Sequence, residues 1–285
     1  MKRFLVSTEH LEDKLWFRDD DDFKVGMNFV ALCAFKAGVR IIAFILMSNH
    51  VHFVLEGTEE AVLKFINLFK SMYSRYLTCR YKAVETLRSN GVDIREISNE
   101  GESLERTVAY VVMNPVAANI CFHPSMYSWG SGACYFNPTA EKGKSISELS
   151  LRARQRILHS RCALDEHYLI GREGYILPIS YILVDRVEAL YRTPNRFIFF
   201  LNSSSRAKIR LEGDALPSFR DQIILAAVQD ICQSLFRKSE LNELDELQKP
   251  VLMKELRRRF SADTAQLARV TGMSYANIAK MLDCI

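Results

Sequence analysis

Met47-Ser48-Asn49-His50-Val51-His52-Phe53-Val54-Leu55 sets two histidines one residue apart inside a run that otherwise reads as a buried strand. Side chains alternate along a strand, so His50, His52 and Val54 share one face and Val51, Phe53 and Leu55 the other. The apolar set can pack on a core. The two imidazoles then point the same way, with Cα atoms roughly 6.5–7 Å apart, which lets two ring nitrogens converge on one divalent cation. The same alternation also describes a solvent-facing edge strand, so the histidine pair alone leaves both readings open.

Upstream of this stretch, residues 2–7 read as a first strand. Asp19-Asp20-Asp21-Asp22 precedes a helical pattern at Phe23, Met27, Val30 and Ala34, and acids there suit the helix dipole better than they suggest a metal site. Gly38 is placed to end that helix. Val39–Met47 is nearly all apolar and reads as a central strand, with Ser48-Asn49 as a turn or bulge before the histidines. Downstream, Thr58 caps a long helix to about Tyr81. It carries Lys64, Lys70, Arg75, Arg80 and, just after it, Lys82, interleaved with Tyr73, Tyr76 and Tyr81. Cations with aromatics suit single-stranded DNA, the charges for phosphates and the rings for bases. An ordinary solvated helix face fits the pattern equally. Residues 92–97 form a short strand candidate.

Ser103 to Pro115 gives the second informative stretch. Leu104, Val108 and Val111 recur at helical spacing, with Ser103 as a suitable N-cap and Pro115 expected to end the helix at Asn114. Tyr110 and Asn114 are then neighbours one turn apart, beside the apolar stripe. Alone, they also fit a half-buried tyrosine and a helix-terminal asparagine.

Met-x-Asn-His-Val-His-Phe-Val-Leu, then Tyr-x-x-x-Asn-Pro-Val-x-Ala, then Tyr127-Ser128-Trp129-Gly130-Ser131, in this order, resembles the REP-associated tyrosine transposases. These form a single-tyrosine branch of the HUH endonucleases. The resemblance spans about residues 1–136 and implies an α+β fold, a ferredoxin-like antiparallel sheet with helices on one face. It implies metal-dependent cleavage of single-stranded, hairpin-bearing DNA with Mg²⁺ or Mn²⁺. Carried over by position, His50, His52 and Asn114 are the implied metal ligands and Tyr110 the implied nucleophile. The family's usual Gly/Phe/Arg-containing segment after the long helix is replaced here by residues 82–90. A domesticated DNA-binding regulator without cleavage activity is the alternative. A relaxase or rolling-circle initiator shares the histidine pair, but the order of motifs favours the transposase branch.

The 285 residues, 48% hydrophobic, suffice for one large domain or two modest ones. No window is apolar enough for a membrane span and no signal peptide is visible. Seven scattered cysteines argue for reduced thiols. A cytoplasmic, nucleoid-associated bacterial protein is the expectation, and the net charge of +4 is compatible with a nucleic-acid partner. Residues 137–214 read as a linker and helical connector with no visible chemistry. Residues 215–285 read as a helical DNA-binding domain, with a helix from Lys249 to Phe260 that ends in Arg257-Arg258-Arg259, of which Arg257 and Arg258 are candidate DNA contacts. Its segment 263–282 has helix-turn-helix form: Gly272 at the turn, Ser274 as cap, Ile278 packed inward, and Tyr275, Asn277 and Lys280 facing a duplex groove. It is similar to the DNA-binding domain of bacterial replication initiators, without their recognition-helix signature. A plain helical hairpin is the other reading.

Overall fold

The apolar run before the histidines and the alternating run after it pair with each other. Strand β2 (Arg40–Leu46) turns through Ser48-Asn49 into β3 (Val51–Gly57), and the Met47 amide donates to the His50 carbonyl (2.8 Å). A computed structural model describes residues 1–8, 15–82, 91–162, 164–212, 221–260 and 262–283. The substituted segment 83–90 lies outside them. With β1 (Lys2–Ser7) and β4 (Asp93–Glu96), the strands form an antiparallel sheet in the order β2-β3-β1-β4. His52 sits opposite Ser7 on one side and Ile45 on the other.

Two helices connect the strands. Helix α1 (Asp20–Ala37) is capped by Asp19, whose side chain accepts from the Asp22 amide, and it ends at Gly38 with φ of 70°. Helix α2 (Glu59–Tyr81) starts under a Thr58 cap. Both ends fall where the cap and turn residues place them. The Phe53 ring meets Phe65 and Phe69 of α2 (4.9 and 5.6 Å), so the Phe53 face is covered by the α1–α2 layer.

The other face is covered as well. Helix α3 (Ser103–Ala117) returns across β2 and β3, and every residue of β3 is buried. The expected exposed histidine face is therefore a second interior face. Strand β2, read as central, is one of the two edge strands, yet its edge is not bare. The Leu46 amide donates to Trp129, Ser131 to Phe44, and Leu183 to Ile41 (2.8–3.0 Å). Covering the edge explains why so apolar a strand can lie there.

Gly130 permits that closure. A Cβ at this position would stand 2.6 Å from Ile45 Cδ1 and 2.9 Å from the Phe44 carbonyl oxygen. Gly130→Ala is expected to lower stability by about 1–3 kcal/mol, since backbone must shift to admit the methyl. Thermal unfolding followed by circular dichroism checks this.

The described residues of 137–212, read as a linker and helical connector, pack with the sheet. Ile146, Leu158, Tyr168, Ile176, Tyr191 and Phe200 belong to the same hydrophobic core as the sheet. This stretch contains a two-stranded ribbon of β5 (Lys144–Ser145) and β6 (Leu169–Ile170), then helices α4 (Leu151–Leu158), α5 (Val184–Tyr191) and α6 (Pro194–Glu212). Its apolar residues are spread between turns, which hides them from a periodicity reading. A second core begins at Ile224 and is built by α7 (Asp221–Ile231), α8 (Gln248–Phe260), α9 (Thr264–Thr271) and α10 (Tyr275–Asp283). No helix among the described residues is long and apolar enough to cross a membrane.

Candidate active site

His50 closes the β2–β3 turn, and its Nδ1 lies 3.0 Å from Asn49 Oδ1. Asn49 is buried, so the carboxamide holds the ring. An Nδ1–H donated to Asn49 leaves Nε2 with its lone pair for another partner. The sequence showed Asn49 only as a turn residue. His52, two positions on, is 1% exposed. The two imidazole centroids are 5.0 Å apart with ring planes at 80°.

Tyr110 comes to the same place from α3. Its ring centroid is 5.5 Å from that of His52, at 76°. Because Phe53 faces α2 and His52 faces Tyr110, α2 and α3 lie on opposite faces of the sheet. The helix is shaped by its C-terminal proline in an unexpected way. It runs on through Pro115 to Ala117, where the sequence suggested a stop at Asn114. Proline removes the amide that would bond the Val111 carbonyl. Asn114 Nδ2 takes that role, donating to Val111 (3.3 Å) and Tyr110 (3.0 Å) carbonyl oxygens. The carboxamide nitrogen is thus spent on the helix, and Oδ1 is the atom left to accept. At the N-terminus Ser103 is the first helical residue rather than the cap, and its hydroxyl donates to the Glu100 carbonyl (2.9 Å).

The downstream helices brace α3. Tyr191 of α5 donates to the Glu105 carbonyl (2.6 Å), and Arg196 of α6 reaches the carboxylates of Glu102 (3.1 Å) and Glu105 (3.5 Å). Nothing local in the sequence pointed from Tyr191 to a helix so far upstream.

The cations expected on α2 fare differently. Lys70 is buried, and burial lowers its pKa. Arg80 is tied to Asp19 (2.6 Å) and to the fully buried Asp22 (2.7 Å). Asp22 also accepts from Tyr76 (2.8 Å) and Tyr81 (2.9 Å), and Tyr73 donates to the Trp16 carbonyl (2.8 Å). These rings and charges are structural, because the buried Asp22 carboxylate and the buried Tyr73 phenol need partners. Lys64, Arg75 and Lys82 are exposed, but Lys64 and Arg75 sit on the helix across the sheet from Tyr110. Arg80→Ala is expected to cost about 3 kcal/mol, because it strips a buried carboxylate of its cation, while leaving single-strand affinity unchanged. Urea unfolding and a fluorescence-anisotropy titration check the two halves.

In the C-terminal bundle, Gly272 has φ of 71° and ends α9, and Ser274 Oγ accepts from the Asn277 amide (3.2 Å). Ile278 is buried, and Tyr275, Asn277 and Lys280 are exposed on α10. Arg257 is exposed. Arg258 is paired with Glu255 (2.7 Å), whose carboxyl is lowered to about 2 by hydrogen bonds from Arg258 and Arg259.

Residues 15–109 match the family model described as transposase IS200 like. The chain resembles IS200-like transposases. The match covers both histidines, supports a transposase role, and ends one residue before Tyr110. A solved structure titled "Structure of the REP associates tyrosine transposase bound to a REP hairpin" is similar at 13% identity. The similarity covers 46% of this chain and 76% of that one, with a TM-score of 0.34. No curated protein matches at a significant level. Among the described residues no group of three His, Cys, Asp or Glu side chains is placed to hold a metal ion.

Proposed function

We propose that the chain is a metal-dependent single-strand DNA endonuclease and strand transferase, with Tyr110 as nucleophile and His50, His52 and Asn114 as ligands of Mg²⁺ or Mn²⁺. One observation carries this reading: two imidazoles and a phenol from distant parts of the chain meet on one covered face of the sheet.

The residues suit a cation. Two imidazoles bound to one ion at ordinary metal–nitrogen distances hold their centroids roughly 4.5–5.5 Å apart, and these stand at 5.0 Å. The Asn114 nitrogen is turned to the helix, which gives a hard oxygen as third donor. Two neutral imidazoles and an amide leave the ion its full charge and open positions. When bound, the cation polarises the scissile phosphate as a Lewis acid.

The chain's own residues do the rest. The Tyr110 phenol oxygen attacks phosphorus, the bond from phosphorus to the 3′-oxygen breaks, and the phenolic proton passes to that leaving oxygen through solvent. A phenol titrates near ~10, so proton loss and bond formation go together. The products are a 5′-phosphotyrosine and a free 3′-hydroxyl. A second 3′-hydroxyl can reverse the step, rejoining strands without ATP and regenerating the phenol. Asn114 shares a helix with Tyr110, and Tyr191 and Arg196 hold that helix, so nucleophile and ligand are set as one unit.

The substrate in this reading is hairpin-bearing single-stranded DNA from repeated palindromes. The exposed face of α10, with Tyr275, Asn277 and Lys280, and Arg257 of α8 supply a duplex-DNA surface in the manner of a helix-turn-helix. A regulator without cleavage activity would use that surface alone. Incubation with an end-labelled hairpin strand separates the two. A metal-dependent covalent adduct that survives denaturing electrophoresis is the result expected here; specific duplex binding with no adduct in Mg²⁺ or Mn²⁺ would refute it.

A further inference from the structure

The first core and the C-terminal bundle meet at one buried carboxylate. Asp221, the first residue of α7, is 4% exposed. Its Oδ2 accepts from the Ser48 hydroxyl (2.6 Å) and Arg269 Nε (3.3 Å); its Oδ1 accepts from Gln266 Nε2 (2.8 Å) and Arg269 Nη2 (3.5 Å). Ser48 stands in the turn two residues before His50. Gln266 and Arg269 belong to α9, which packs against α10. The next residue strengthens the joint: Gln222 Nε2 donates to the Phe17 carbonyl (2.6 Å), while the Trp16 and Phe17 amides donate to the Ser48 carbonyl (2.8 and 3.0 Å). Ser48 is therefore held at both its carbonyl and its hydroxyl.

We infer that Asp221 is a positioning residue for the site, fixing the Ser48-Asn49 turn and through it the ring of His50, and that it does so only while α9 is docked. The proposal rests on the reading of His50 as a ligand. The physical case is that a buried carboxylate without its partners is costly, so Asp221 gathers donors from both bodies into one arrangement. The turn it fixes is two residues long, and Asn49, its second residue, carries the hydrogen bond that sets the His50 ring. Ligand orientation by such outer partners governs metal affinity. A movement of α10 that displaces α9 thus reaches His50 through Asp221 and Ser48. The bundle is more than a tether for DNA; it completes the turn that presents a ligand.

The test uses full-length protein labelled with ¹⁵N-histidine. Two-bond ¹H–¹⁵N spectra report the tautomer and surroundings of each ring without any metal. Ser48→Ala, Asp221→Asn and Gln266→Ala are each expected to move the His50 signals in one common direction, leaving those of His159 and His167 in place. Ser48→Ala removes one hydroxyl from a turn and keeps the test sound if an Asp221 variant folds poorly. Mn²⁺ titration should then show roughly tenfold weaker broadening at His50 and His52 in Ser48→Ala than in the parent. His50 signals that stay in place in both Ser48→Ala and Gln266→Ala would overturn the coupling. Parent protein in which Mn²⁺ never broadens His50 or His52 would instead count against the metal reading and leave the metal-free spectra to decide the coupling.

Discussion

Tyr110→Phe is expected to abolish the covalent DNA adduct and to lower single-strand cleavage by about 10³-fold or more, because it removes the atom proposed to attack phosphorus. The change deletes one oxygen from a half-buried ring at the sheet face. The phenyl ring keeps its edge-to-face contact with His52, so the melting temperature and hairpin affinity should stay near those of the parent. The loss is then chemical and not structural. Gel separation of protein–DNA adducts, with anisotropy on the same samples, measures both. Equal adduct from parent and Tyr110→Phe would remove the tyrosine from the mechanism.

The second large effect is expected at His52. Replacing a ligand in a three-donor site costs more than disturbing an outer partner, which itself costs 10–100-fold in affinity. His52→Gln should therefore weaken Mn²⁺ binding at least ~100-fold and reduce metal-dependent cleavage to a similar degree. Glutamine is chosen because His52 is nearly fully buried between two strands, and truncation to alanine would open a cavity. Isothermal titration with Mn²⁺ reads the affinity. Unchanged binding in His52→Gln, in a folded protein, would place the cation elsewhere.

Much of the sheet was legible because caps and turns announce it. Asp19, Gly38 and Thr58 stand at the ends of α1 and α2 as local rules require. The histidine strand and the Tyr110 helix were legible because their periodicities are unmixed. Two features escaped for physical reasons. Burial on both faces of β3 depends on α3 and on the chain after residue 137, whose apolar residues follow no single period. The fate of the α2 charges depends on where Asp19 and Asp22 arrive, a matter of tertiary placement. A cation with aromatics along a helix looks the same whether it awaits a phosphate or already holds a buried carboxylate. The site itself was half legible. The types His, His, Tyr and Asn were visible, but Asn49 as the holder of His50, Tyr191 as the brace of α3 and Asp221 as the joint at Ser48 needed the fold.

The most direct measurement is to trap the adduct with a labelled hairpin strand, digest it with trypsin and nuclease, and locate the nucleotide by tandem mass spectrometry. A 5′-linked nucleotide on Tyr110, found only when Mg²⁺ or Mn²⁺ is present, is the predicted result. A nucleotide on any other residue, or none at all from protein that binds the hairpin in saturating metal, would contradict the convergence of His50, His52 and Tyr110 on a single reaction.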